Sequence, residues 1–116
     1  MNTGFNGEQT PFADYVALNR SRIAQAHPDK CAHDLEKIVA GNAPFELRPS
    51  GNHRVGHNKP YRRGVLLTHG LTDSPYFMRY LASFFQENGF RVMALLLPGH
   101  GTQPGDLLEV RWQDWA

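Results

Sequence analysis

The chain has 116 residues, with 12 Lys plus Arg against 11 Asp plus Glu, a formal net charge of +1, and 41% apolar residues. This fits one small folded domain rather than a disordered tail, and the near-neutral balance leaves no overall electrostatic footprint for nucleic acid. Cys31 stands alone, which excludes an intrachain disulfide and a CxxC motif, and no apolar run nears the roughly 20 residues of a membrane-spanning helix.

Met1 to Thr10 is polar, carries Gly4 and Gly7, and reads as a loose end without the basic or apolar region of a signal peptide. The expected location is therefore the cytoplasm. Thr10-Pro11 predicts a helix start with proline at the first helical position. Phe12, Tyr15, Val16 and Ile23 share one face of a helix over 11–26, which His27-Pro28 stops. Asp29 is the expected cap of a second helix, with Cys31, Leu35, Ile38 and Val39 on its apolar face and Gly41 at its end. On that face Cys31 reads as a small buried hydrophobe. Phe45 and Leu47 predict a short strand. The stretch 48–63 is basic, with Arg48, Arg54, Lys59, Arg62 and Arg63 and turns at Gly51, Gly56 and Pro60, and reads as a loop or as two ragged strands joined by one.

Gly64 to Thr68, GVLLT, is apolar without alternation and predicts a strand buried on both faces. Ser74-Pro75 predicts a helix start, serine as cap and proline at the first position. Phe77, Leu81, Phe84 and Phe85 form that helix's apolar stripe; Arg79, Ser83 and Gln86 form its wet side. Asn88-Gly89 ends it. Phe90 to Leu97, FRVMALLL, is a second buried strand ended by Pro98-Gly99. Strand, helix and strand at this spacing predict a βαβ unit with parallel strands. Asp106 to Val110 reads as one tight turn. Trp112 to Trp115 reads as the first turn of a further helix, with both tryptophans in its core.

The chemistry concentrates in His69-Gly70-Leu71-Thr72-Asp73-Ser74-Pro75, between a strand end and a helix start. Ligands of parallel sheets bind beyond the carboxyl ends of the strands. Gly70 permits close approach of a ligand or a positive φ. The free N–H groups of the following turn are suited to a developing oxyanion. Asp73 and Ser74 are explained by capping, and His69 and His100 read as braces of the loop backbone rather than as proton-transfer groups.

HGLTDSP after GVLLT, followed by LLLPGHGT, resembles the α/β-hydrolase superfamily, in the branch of carboxylesterases, monoacylglycerol lipases and serine aminopeptidase-like hydrolases. The resemblance covers about residues 62–116. It implies an α/β fold, here the N-terminal part of an α/β-hydrolase: one parallel βαβ unit preceded by short helices and a strand. The implied division is a helical segment over 1–43 and an incomplete hydrolase domain over 44–116. By position, the backbone N–H of Leu71 is one oxyanion-hole donor, with His69, Gly70, Asp73, Ser74, Gly99 and His100 supporting the loops. The family's nucleophile sits in a GxSxG elbow, and none of Ser21, Ser50, Ser74 and Ser83 stands in such a pattern.

The expectation is thus the N-terminal portion of a serine hydrolase of carboxylic esters, inactive as these 116 residues alone. It takes a small ester substrate, no cofactor, no metal and no nucleic acid, and does not insert stably into a membrane. His53 and His57 lie four apart, but in a Gly-rich loop without Cys or acid, which argues against zinc. The alternative is a non-enzymatic binding module using the basic loop 48–63 on a polyanion or anionic lipid. Such binding would fall steeply with salt and vanish in an Arg62→Glu, Arg63→Glu variant.

Overall fold

The computed structural model describes residues 11–49 and 63–115. The expected loose end and most of the basic loop, with His53 and His57, lie outside the described residues.

Helix α1 runs from Phe12 to Gln25 and buries Tyr15, Asn19 and Ile23, spaced four apart on one face. Pro11 sits before the helix with φ −55° and ψ 144°, so it is the cap residue and not the first helical one. The stop falls where His27-Pro28 predicts it; the His27 ring nitrogen Nδ1 lies 2.9 Å from the Ile23 carbonyl. Helix α2 spans Ala32–Asn42. Two expectations fail here. Its cap residue is Cys31 rather than Asp29, and that places the thiol in solvent instead of in the core. Gly41 lies inside the helix with open space around its Cα, so the turn to extended backbone comes two residues later, at Ala43.

Strand β1 (Phe45–Leu47), strand β2 (Gly64–Leu67) and strand β3 (Arg91–Ala94) form one sheet in the order β1-β3-β2. β2 runs parallel to β3, pairing Gly64 with Arg91 through Leu67 with Ala94. β1 runs antiparallel on the other side, pairing Phe45 with Ala94 and Leu47 with Val92. The βαβ reading is correct. β3 is the central strand, and its Val92 and Ala94 are fully buried. β2, expected to be covered on both faces, is covered on one: Leu67 is buried, while Leu66 is 58% exposed. Among the described residues, β2 is the sheet's edge and no element packs over Leu66.

The helix between β2 and β3 starts as a 3₁₀ turn, Pro75–Met78, and continues as α3, Arg79–Glu87. Ala82, not the aromatic stripe, is its buried centre, packed with Leu67, Val92 and Ala94 and flanked by Met78 and Phe85. Phe77, Leu81 and Phe84, expected in the core, face out. Arg79 stacks on Tyr76 and Tyr80, its guanidinium 3.6 and 4.3 Å from the ring centroids. Gly89 closes the helix at φ 85°, which glycine takes without a Cβ penalty.

A second cluster joins Ile23 of α1, Val39 and Ala43 of α2 and Leu96 just past β3. Across β1 and β3, Glu46 bonds Arg91 at 2.6 Å. No helix of the described residues is long and apolar enough to cross a membrane.

Candidate functional site

Two loops meet at the carboxyl ends of the parallel strands: residues 68–74 after β2 and residues 95–101 after β3. His69 is the buried residue between them, 4% exposed. Its Nδ1 lies 2.9 Å from the Gly70 carbonyl, and its Nε2 accepts the Leu97 N–H at 3.0 Å. Burial pushes the His69 pKa below its ordinary value and the neighbouring His100 adds to this; the Gly70 carbonyl and Asp73 act the other way.

The Gly70 carbonyl also accepts the Asp73 N–H at 3.1 Å, closing a tight turn over 70–73. Gly70 does not adopt positive φ, contrary to one of its two expected uses. Space is open around it: the nearest atom to a notional Cβ, Asp73 Oδ2, is 3.9 Å away. Leu71 follows, with 57% of its surface exposed. Among the described residues, no backbone carbonyl accepts its N–H.

Ser74 precedes the 3₁₀ turn as expected, but its hydroxyl does not cap it. Oγ donates instead to the Gly41 carbonyl of α2 at 3.0 Å, tying the loop to the second helix. The Phe77 N–H, which a capping hydroxyl could accept, goes to the Ser74 carbonyl instead at 3.2 Å.

On the opposing loop, Gly99 and Gly101 take φ of 81° and 78°. A Cβ on Gly99 would lie 2.6 Å from Val110 Cγ2, because the 3₁₀ segment Pro104–Glu109 folds back over it. The expected single tight turn at 106–110 is the end of that segment. Gly99→Ala is therefore expected to lower stability by about 1–3 kcal/mol through backbone strain and overpacking, read as a shift in the urea midpoint. His100 reaches across: its Nε2 lies 2.7 Å from the Leu71 carbonyl and its Nδ1 3.1 Å from the Pro98 carbonyl. The rings of His69 and His100 meet edge to face, 4.8 Å between centroids.

Three participants escaped sequence reasoning. Tyr15 of α1 donates to the Leu96 carbonyl at 2.8 Å and accepts the Leu96 N–H at 3.1 Å. The Leu97 N–H anchors His69. Trp115, expected in a helix core, is 41% exposed and donates from Nε1 to the Pro98 carbonyl at 3.2 Å. Trp112, 72% exposed, begins a 3₁₀ turn of Trp112–Asp114. A partner 81 residues away has no local signal in the sequence.

An open cleft of about 410 Å³ runs between α1 and residues 96–110, with Arg22, His100 and Asp106 on its walls. None of its walls belongs to the 69–74 loop, so it is not where a substrate meets Leu71. No group of three or more metal-ligating side chains occurs among the described residues. Of the basic stretch, Arg48 lies 3.6 Å from Glu46 and Arg63 lies over the Phe90 ring.

No family model matches the chain. It is 42% identical over 79 residues to the thermostable monoacylglycerol lipase of Bacillus sp. (strain H-257), which covers 68% of this chain and 27% of that protein. Its fold matches a structure from a study of LipS and LipT, two metagenome-derived lipolytic enzymes, at TM-score 0.51 and 36% identity, over 65% of this chain and 26% of that one. The chain thus spans about a quarter of the length of these relatives. With a parallel strand–helix–strand unit carrying the HGLTDSP and PGHG loops at its carboxyl edge, the stretch shared with these lipolytic proteins is α/β-hydrolase in sequence and in fold.

Proposed function

We propose that these residues supply the oxyanion loop of a serine hydrolase acting on carboxylic esters, with acylglycerol-type lipid esters as the first substrates to test. The observation that carries this reading is the Leu71 peptide. Among the described residues its N–H has no backbone acceptor, in the loop after a parallel strand, while the carbonyls on either side of Leu71 are held by His69 and His100. A donor fixed in this way costs no reorganisation when negative charge develops on a substrate oxygen. Gly70 leaves room for the substrate, Asp73 closes the turn, Ser74 ties it to α2, and Gly99 and His100 brace it from the opposite loop.

The attacking group is not in this set. Ser74 spends its hydroxyl proton on the Gly41 carbonyl, and no serine of the chain stands in a GxSxG elbow. The 116 residues alone are therefore expected to leave p-nitrophenyl esters unhydrolysed and to resist fluorophosphonate labelling. A longer protein that carries them together with an elbow serine is expected to label one to one. Stoichiometric labelling of the 116-residue chain by itself would overturn this reading and make Ser74 the residue to substitute.

A further inference from the structure

We propose that His69 and His100 form a proton-sensitive bracket around Leu71: His69, neutral and protonated on Nδ1 only, holds the Gly70 carbonyl, His100 holds the Leu71 carbonyl through Nε2–H, and a second proton on His69 breaks the bond from the Leu97 N–H that seats its ring. Its consequence for catalysis rests on the oxyanion reading above; the bracket itself does not.

The proton positions follow from the partners. The Leu97 N–H can only donate, so the His69 Nε2 it meets at 3.0 Å is the bare nitrogen. The one ring proton then sits on Nδ1, 2.9 Å from the Gly70 carbonyl, which can only accept. The peptide between Gly70 and Leu71 is planar and trans, so holding its C=O sets the direction of the Leu71 N–H on the opposite side. The Leu71 carbonyl likewise only accepts, which puts a proton on His100 Nε2 at 2.7 Å. His69 and His100 thus hold the two peptide groups that flank one residue.

The second ring nitrogen of His100, Nδ1, lies 3.1 Å from the Pro98 carbonyl. A further proton on His69 sets two N–H groups head to head at Nε2 and Leu97. The charged and titratable groups facing His69 are Asp73 from its own loop and His100 from the loop after β3. Burial, with 4% exposure, favours the neutral His69 ring and lowers its pKa from the ordinary value. Since its pKa is lowered on folding, the stability that His69 contributes is present above the unfolded value of 6.5 and is lost as pH falls through the lowered folded value.

The test is long-range ¹H–¹⁵N correlation of the whole protein labelled with ¹⁵N-histidine, alongside the Leu71 backbone amide, across a pH series. At neutral pH His69 is expected to show a pyrrole-type Nδ1 and a pyridine-type Nε2, and His100 a pyrrole-type Nε2. On acidification the Leu71 amide is expected to shift with the midpoint of His69, below 6.5. In His69→Asn the side-chain amide replaces the Nδ1 donor and does not titrate, so this step in the Leu71 amide disappears. The opposite tautomer, a charged His69 at neutral pH, or an unchanged Leu71 step in His69→Asn each overturns the bracket. Should His69→Asn fail to fold, the wild-type ring pattern, assigned through its proximity to the Leu97 amide, decides alone. Failure of the oxyanion reading has a different signature: bracket signals intact, with Leu71→Pro and Leu71→Ala equal in turnover.

Discussion

Exchanging Leu71 for proline is expected to lower ester turnover by about 10²–10³, the usual effect of losing one oxyanion donor, whereas Leu71→Ala stays within about tenfold of the parent. The measurement is kcat on a p-nitrophenyl ester, made on a hydrolysing protein that contains these residues. The contrast is clean because the site tolerates both changes. Leu71 is the second residue of the turn closed by the Asp73 N–H on the Gly70 carbonyl, the position that proline favours. Its predecessor is glycine, the residue least restricted by a following proline. The Leu71 side chain is 57% exposed, so alanine removes little packing. Proline removes the N–H and alanine keeps it. Equal losses, with circular dichroism unchanged, would mean that Leu71 acts through its side chain.

Tyr15→Phe is expected to destabilise the fold by about 2–6 kcal/mol, because it orphans two buried backbone groups worth about 1–3 kcal/mol each. The reason lies in the sheet. Leu95 continues the parallel ladder by donating to the Leu67 carbonyl at 3.0 Å, which turns the N–H and C=O of Leu96 toward the side of β1. But β1 begins at Phe45, opposite Ala94, and has no residue in register to pair with Leu96. The Tyr15 hydroxyl takes both bonds, donating at 2.8 Å and accepting at 3.1 Å. Burial raises the Tyr15 pKa, outweighing the opposing pull of the Leu96 backbone bond, so the phenol stays protonated and able to donate. A loss in urea denaturation below about 1 kcal/mol would show that water replaces the hydroxyl there. Because Leu96 adjoins the Leu97 N–H that anchors His69, the same variant is expected to loosen the loop.

The elements that local chemistry specifies were legible in the chain. Proline and glycine punctuation set both ends of α1 and the end of α3 within a residue or two, while at Pro75 it marked the 3₁₀ turn that precedes α3; the two apolar runs set β2, β3 and their parallel pairing. The loop HGLTDSP was legible as the turn beyond the carboxyl end of a parallel strand, where such sheets bind ligands. The contents of the core were less legible. Periodicity assigned Phe77, Leu81 and Phe84 to the interior, yet the centre of the α3 contact is Ala82. A helix stripe tells which residues are apolar, while the docking of α3 on the sheet decides that Ala82 lies at the centre of the contact, with Met78 and Phe85 beside it.

By itself the sequence determined the order of the elements, the parallel unit and the identity of the two loops, since each depends on neighbours within a few residues. Tertiary structure alone decided that Ser74 bonds Gly41, that Tyr15 completes β3 at Leu96, and that His69 and His100 hold the carbonyls on either side of Leu71. A hydroxyl or imidazole takes whichever donor or acceptor the fold brings within about 3 Å, and that partner is set by the packing of distant segments rather than by the residues beside it.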